Sequence, residues 1–129
     1  MTFALGPLGQ IALAVSDVDR AEAFYGGVLG LRKLFRFGDL AFFDCGGLRL
    51  LLEKAAHGAV QPGGTLYFRV ADIGLASREL QGQGVTFADQ PHLIAPMPDH
   101  DLWMTFFTDP DGNSLALMQE APKGWKPAG

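Results

Sequence analysis

The sequence is poor in cysteine, in runs of basic residues and in long apolar stretches, and each shortage excludes a class of protein. Cys45 is its single cysteine, so no disulfide forms within the chain and a disulfide-stapled scaffold is excluded. A lone thiol points to a reducing, cytoplasmic setting. Lys and Arg together number 10 against 14 Asp and Glu, giving a formal net charge of −4. That balance, with no Lys/Arg run, argues against a nucleic-acid partner. No apolar stretch reaches the roughly 18–20 residues that cross a bilayer, and the N-terminus lacks the basic-then-apolar order of a signal peptide. The expectation is a soluble protein with no membrane or nucleic-acid partner.

What is present is apolar material and a repeat. Hydrophobic residues make up 48% of the 129 positions and charged residues 19%, enough to bury a core and far from a disordered composition. Gln10-Ile11-Ala12-Leu13-Ala14-Val15 is followed by Ser16-Asp17-Val18, and Thr65-Leu66-Tyr67-Phe68-Arg69-Val70 by Ala71-Asp72-Ile73. Thr65 stands 55 positions after Gln10, and the offset holds through both segments. Each strand-like run feeds a helical pattern. Val18, Ala21, Tyr25 and Val28 are spaced 3, 4 and 3 apart, and Ile73, Ala76 and Leu80 are spaced 3 and 4 apart, as on a helix lying on a sheet. Asp17 and Asp72 stand where an N-cap or a first-turn acid helps. Glycines end both patterns, at Gly26, Gly27 and Gly30 and at Gly82 and Gly84.

The period then drops to two. Leu31–Phe37, Leu40–Asp44 and Leu48–Glu53 read as strands of the first half, and Val85–Ala88, Leu102–Thr108 and Ser114–Gln119 as strands of the second. Gln90–Ala95 reads as an irregular strand. Gly46-Gly47 and Asp109-Pro110-Asp111-Gly112-Asn113 are hairpin turns. The Asp109–Asn113 acids lack the spacing of a calcium loop. Each half is therefore β-α-β-β-β, about 8–60 and about 64–120, with Gln61-Pro62-Gly63-Gly64 as linker. The fold expected is α+β, one domain over 1–129, its mixed curved sheets enclosing a small-molecule cavity. One half is too small to hide its sheet face, so the halves pair within the chain or across a dimer.

Two segments, Ala14–Gly30 (with Ala23-Phe24-Tyr25 and Val28-Leu29-Gly30-Leu31) and Phe106–Asn113, resemble the vicinal-oxygen-chelate superfamily. This group includes glyoxalase I, extradiol dioxygenases, methylmalonyl-CoA epimerase and the fosfomycin and bleomycin resistance proteins. The resemblance covers roughly residues 8–120 and implies a homodimer. It also implies a metal site with one ligand at the start of the first strand and one on the last strand of each half. Carried onto this chain, those positions are Gln10, Glu53, Thr65 and Ala116. Gln10 and Glu53 suit a divalent ion (Ni, Zn, Mn, Fe or Co), whereas Ala116 cannot bind a metal and a neutral Thr65 hydroxyl rarely does. The ligand set is incomplete.

Strand parity sorts the remaining side chains. If Gln10 faces the cavity, Ala12 and Ala14 do too, as do Thr65, Tyr67 and Arg69. Ile11, Leu13, Val15, Leu66, Phe68 and Val70 face away. Arg49, Leu51 and Glu53 share one face, and so do Ser114, Ala116 and Met118. Glu53 reads either as a strand-end carboxylate paired with Arg49 or Arg69, or as a cavity base and partial ligand. Arg69 reads either as the ion-pair partner of Glu53 or as a clamp for a substrate carboxylate or phosphate. His57 reads as a surface residue. His92 and His100 are candidate ligand contacts, and Trp103 with Met97 and Met104 a candidate apolar lid. Cys45 reads as a small strand-end residue and not as a nucleophile.

Two functions follow. One is a glyoxalase-like lyase, isomerase or dioxygenase acting on a small oxygenated substrate, with Glu53 as base and Gln10 and Arg69 orienting the substrate. The other is metal-free capture of a drug or aromatic ligand in the bleomycin-resistance manner, without any cofactor.

Overall fold

The structure, a computed structural model, describes residues 3–4, 7–56 and 63–128. His57 and the Gln61-Pro62 part of the linker lie outside the described residues. The chain forms two compact units, Met1–Gln61 and Pro62–Gly129. Each is a four-stranded mixed sheet with one helical segment, so the fold is α+β with two β-α-β-β-β modules. Among the described residues no helix is long and apolar enough to cross a membrane.

The first unit comprises β1 (Gln10–Val15), α1 (Val18–Glu22), β2 (Arg32–Phe37), β3 (Leu40–Cys45) and β4 (Leu48–Lys54). The sheet order is β1-β4-β3-β2, with β1 parallel to β4 and the other pairs antiparallel. Asp17 has extended backbone and its carboxylate accepts the Arg20 amide at 3.1 Å, which starts α1. The helix then widens into a π-helical stretch, Ala23–Val28, where the Leu29 amide reaches the Phe24 carbonyl at 2.9 Å. Gly26 packs closely under Phe43, and a Cβ there would lie a tight 3.2 Å from the ring. Gly46 and Gly47, with φ of +65° and +93°, close the β3–β4 hairpin in a conformation that L side chains avoid. The core lies between α1 and alternate strand positions: Val15, Val18, Ala21 and Tyr25 pack with Ala41, Phe43, Leu50 and Leu52. Each large side chain buried there stabilises the unit by about 1.5–3 kcal/mol.

The second unit repeats this plan with β5 (Leu66–Arg69), α2 (Ile73–Gly82), β6 (His92–Pro96), β7 (Asp101–Thr108) and β8 (Ser114–Ala121), in the order β5-β8-β7-β6. Asp72 caps α2 by accepting the Leu75 amide at 3.0 Å. The Ile73 amide donates to Gln119 Oε1 at 2.8 Å and ties the helix to β8. Beyond β8, Asp101 Oδ2 accepts the Gly124 amide at 3.0 Å, and Asp101 Oδ1 pairs with Lys123 at 2.9 Å. Trp125 then packs edge-on against Trp103, with centroids 5.7 Å apart.

One strand lies elsewhere than its sequence pattern implies. Val85–Ala88 makes only a single bridge, Phe87 to Phe107, and the edge strand is His92–Pro96, overlapping the Gln90–Ala95 stretch read as an irregular strand and irregular in register at Leu93–Ala95. The Val85 amide is consumed by the Leu80 carbonyl at the end of α2, so it cannot enter a ladder. Asp89 then takes the hydrogen bonds a strand would have made. Its Oδ1 accepts from the Phe106 amide at 3.0 Å and from Thr105 Oγ1 at 2.6 Å. A side chain has replaced a stretch of backbone pairing.

Candidate functional site

In each unit one sheet face packs on the helix and the other carries polar and aromatic side chains. The division follows strand parity, and Gln10, Tyr67 and Arg69 stand on the helix-free faces. Gln10 begins β1, and its register partner on β4 is Arg49. Their side chains meet, Arg49 Nε donating to Gln10 Oε1 at 2.7 Å. The guanidinium also lies over the Phe42 ring, 5.6 Å from its centroid. Phe35 stacks on Phe42 at 4.4 Å with a 20° interplanar angle. Phe35, Phe42, Arg49 and Gln10 thus form one row across all four strands. Ala12, exposed, and Leu51, buried, are register partners beside that row.

Asp44 is the antiparallel register neighbour of Arg49 but is engaged elsewhere. Its carboxylate accepts the Gly47 amide at 3.1 Å and pairs with Arg32 at 3.3 Å. Those two contacts, the amide first, hold its carboxyl below the ordinary carboxylate range. Glu53 is half-buried four residues further along β4, opposite Ala14 and Leu40, roughly 13 Å from Arg49 at strand rise. The Glu53 side chain makes no ion pair with Arg49 among the described residues; Arg49 bonds Gln10 instead. Burial, and then the neighbouring Asp44 carboxylate, push the Cys45 thiol up.

In the second unit Thr65 Oγ1 and Ser114 Oγ share a hydrogen bond of 2.9 Å, the counterpart of the Gln10–Arg49 pair. Tyr67 stands opposite Ala116 and meets Phe106 edge-on at 6.0 Å. Arg69 Nε pairs with Glu120 Oε1 at 3.1 Å. His100 Nε2 reaches Glu120 Oε2 at 3.3 Å, and its Nδ1 lies 2.7 Å from Asp99 Oδ1. His92 lies 6.5 Å from Phe106 and bonds the Gln90 carbonyl through Nδ1 at 2.9 Å. The structure therefore brings Tyr67, Arg69, His92 and His100 to one face of the C-terminal sheet. Trp103 is on the opposite face: its register partner Gln119 bonds the start of α2, and its ring packs on Trp125. Its Nε1 is buried without a hydrogen-bond partner among the described residues.

The register redraws the four positions carried over from the sequence. It pairs Gln10 with Arg49, and hydrogen bonding pairs Thr65 with Ser114. Glu53 and Ala116 are not equivalent in the repeat. Glu53 lies opposite Ala14, whose repeat mate Arg69 lies opposite Met118, whereas Ala116 lies opposite Tyr67, whose repeat mate Ala12 lies opposite Leu51. The pairing of Arg49 with Gln10 and of Ser114 with Thr65 was not legible in the sequence because a run such as Leu48–Glu53 does not state its own register. The one available signal was parity, which puts Arg49 on the face of Gln10.

Two β-α-β-β-β modules, each with polar residues on its helix-free face, define a recognisable class. The family described as Glyoxalase/Bleomycin resistance protein/Dioxygenase superfamily matches residues 8–117, and the chain belongs to it. Its fold is shared with an integron cassette protein from the mobile metagenome of V. cholerae (22% identity, 94% of this chain and 100% of that one, TM-score 0.77). It is shared also with a glyoxalase/bleomycin resistance protein/dioxygenase from Nocardioides (20%, 99% and 91%, 0.73). A lactoylglutathione lyase from Agrobacterium tumefaciens is 26% identical over 94% of this chain and 98% of that one, with a TM-score of 0.72. No curated protein matches the chain.

Members of this family often use a divalent metal, and the donor set here does not fit one. Gln10 offers a neutral amide oxygen that already accepts from the positively charged Arg49, and the second-half positions hold a neutral Thr65 and Ala116, which has no donor. Among the described residues no group of three or more His, Cys, Asp and Glu converges to hold a metal.

Proposed function

We propose that the chain is a metal-independent small-molecule binding protein of its family, with the helix-free face of the N-terminal sheet as its recognition surface. The observation that supports this reading is the Gln10–Arg49 pair, which puts a fixed cation and an amide beside an apolar floor. Such a surface combines the few oriented polar groups and the flat apolar area that small ligands need. A second reading, an enzyme with Glu53 as base, draws on one feature: Glu53 is half-buried on the same face with no hydrogen bond or ion pair among the described residues. The relation to a lactoylglutathione lyase favours it as well.

The test is metal analysis of protein purified without chelator, together with ligand-induced thermal shifts measured with and without EDTA. The binding reading expects no stoichiometric metal and shifts indifferent to EDTA. Stoichiometric Ni, Zn, Mn, Fe or Co overturns it. A turnover that Glu53→Gln abolishes while binding persists establishes the second reading in its place.

A further inference from the structure

We infer that the ligand of the N-terminal face is a small organic anion with a flat apolar body, its anionic group gripped by Arg49 and Gln10; this rests on the metal-independent reading above. Arg49 uses Nε on Gln10, and its two terminal amino groups have no hydrogen bond among the described residues. Those groups present a planar fork of donors, a shape that matches a carboxylate or phosphate edge. Gln10 accepts through Oε1, so its amide nitrogen remains a donor beside the guanidinium.

The charge on Arg49 is also uncompensated locally. The carboxylate in register with it, Asp44, is committed to Arg32 and the Gly47 amide. The next carboxylate on its strand face, Glu53, is four residues away, roughly 13 Å. The fork is held in place as well: Gln10 fixes one side and the Phe42 ring, itself stacked on Phe35, supports it. A pre-oriented guanidinium loses little freedom on capturing an anion. Beside it lie Ala12, whose small side chain leaves room above β1, and the exposed Phe35 ring stacked on Phe42. A flat apolar group attached to the anion would cover that floor, and a fully hydrated inorganic anion would not.

The experiment is an amide NMR titration of the whole chain, in EDTA and at low salt, with three probes: benzoate, phenyl phosphate and the neutral isostere benzamide. Benzoate or phenyl phosphate is expected to shift amides of β1, β3 and β4 with an affinity in the millimolar range, about right for a single ion-paired fragment. The stronger of the two identifies the anionic group. Benzamide is expected to bind about tenfold more weakly, and Arg49→Gln to weaken both anions about tenfold. Arg49→Lys keeps the charge but loses the fork, and falls between. Arg78→Gln, which removes an equal charge from α2 of the other unit, where it bonds only the Ala128 carbonyl, leaves affinity unchanged.

Equal binding of benzamide and benzoate, an Arg49→Gln variant as good as wild type, or an Arg78→Gln loss matching that of Arg49→Gln overturns the inference. So does the absence of any shift on these strands from either anion. If benzamide alone binds this face in EDTA, the anion inference fails while metal-independent capture stands. If any probe binds only after Zn or Mn is added, the reading beneath it fails.

Discussion

Arg49 Nε lies 2.7 Å from Gln10 Oε1 across the parallel junction of β1 and β4. The contact joins a guanidinium to a neutral amide, so it orients the cation without cancelling it. A carboxylate in the place of Gln10 would have made a closed ion pair. The amide keeps the charge available at the edge of an apolar floor.

Because Gln10 and Arg49 do not form a chelating set, divalent ions should find no folded-state site on this chain. Added Ni, Zn or Mn is expected to leave the thermal midpoint of the wild type unchanged, since a ligand that binds only the native state raises it with concentration. Differential scanning fluorimetry across a metal titration checks this, and a concentration-dependent rise would contradict it.

Gln10→Ala should separate orientation from stability. Both side chains are exposed, so unfolding free energy should change by less than about 0.5 kcal/mol. Benzoate affinity should nonetheless fall, though less than in Arg49→Gln, because the cation remains but is no longer held. Urea unfolding and the NMR titration measure the two effects separately.

The first unit should lose stability in acid through Glu22. Burial pushes its carboxyl up, but hydrogen bonds from Lys33 and Arg36, both at 3.1 Å, outweigh that and leave it below its ordinary value of 4.5. A carboxyl lowered by folding stabilises the native state above its unfolded value, and that contribution is lost as pH falls from about 4.5 through the lowered value. The thermal midpoint of wild type should therefore drop through this window. Glu22→Gln should show a shallower drop there, and an identical slope would contradict the assignment.

Gly26 and Phe43 should be coupled. Phe43 is fully buried, and its replacement by Ala should cost about 3–5 kcal/mol. A Cβ on Gly26 would meet the Phe43 ring at 3.2 Å, so Gly26→Ala should destabilise by about 1 kcal/mol. In a Phe43→Leu background the crowding is relieved and the same Gly26→Ala change should become neutral or stabilising. A double-mutant cycle by urea denaturation gives the sign.

The segment after β8 should report through tryptophan. Trp125 covers Trp103 edge-on, and Asp101 anchors the intervening turn through Lys123 and the Gly124 amide. Trp125→Ala should cost about 1–3 kcal/mol and shift the emission of the remaining Trp103 to the red as water reaches it. An unshifted spectrum would mean that the segment does not shield Trp103.

Much of this protein was determined by sequence alone. The 55-residue offset between Gln10 and Thr65, the caps at Asp17 and Asp72 and the change of period after each helix are local or repetitive signals. They define two β-α-β-β-β modules before any contact is known, because capping and side-chain periodicity act within one element. Parity likewise separates Tyr67 and Arg69 from Leu66 and Phe68. Tertiary structure decided what parity cannot: which residue of one strand stands beside which residue of another. A strand carrying Arg49, Leu51 and Glu53 on one face satisfies that pattern whichever of them meets Gln10. Hydrogen bonding between β1 and β4 chose Arg49, and competition for the Val85 and Phe106 amides moved the edge strand to His92–Pro96. Register and hydrogen-bond competition are long-range properties, and here they put a cation and an amide at the head of the sheet.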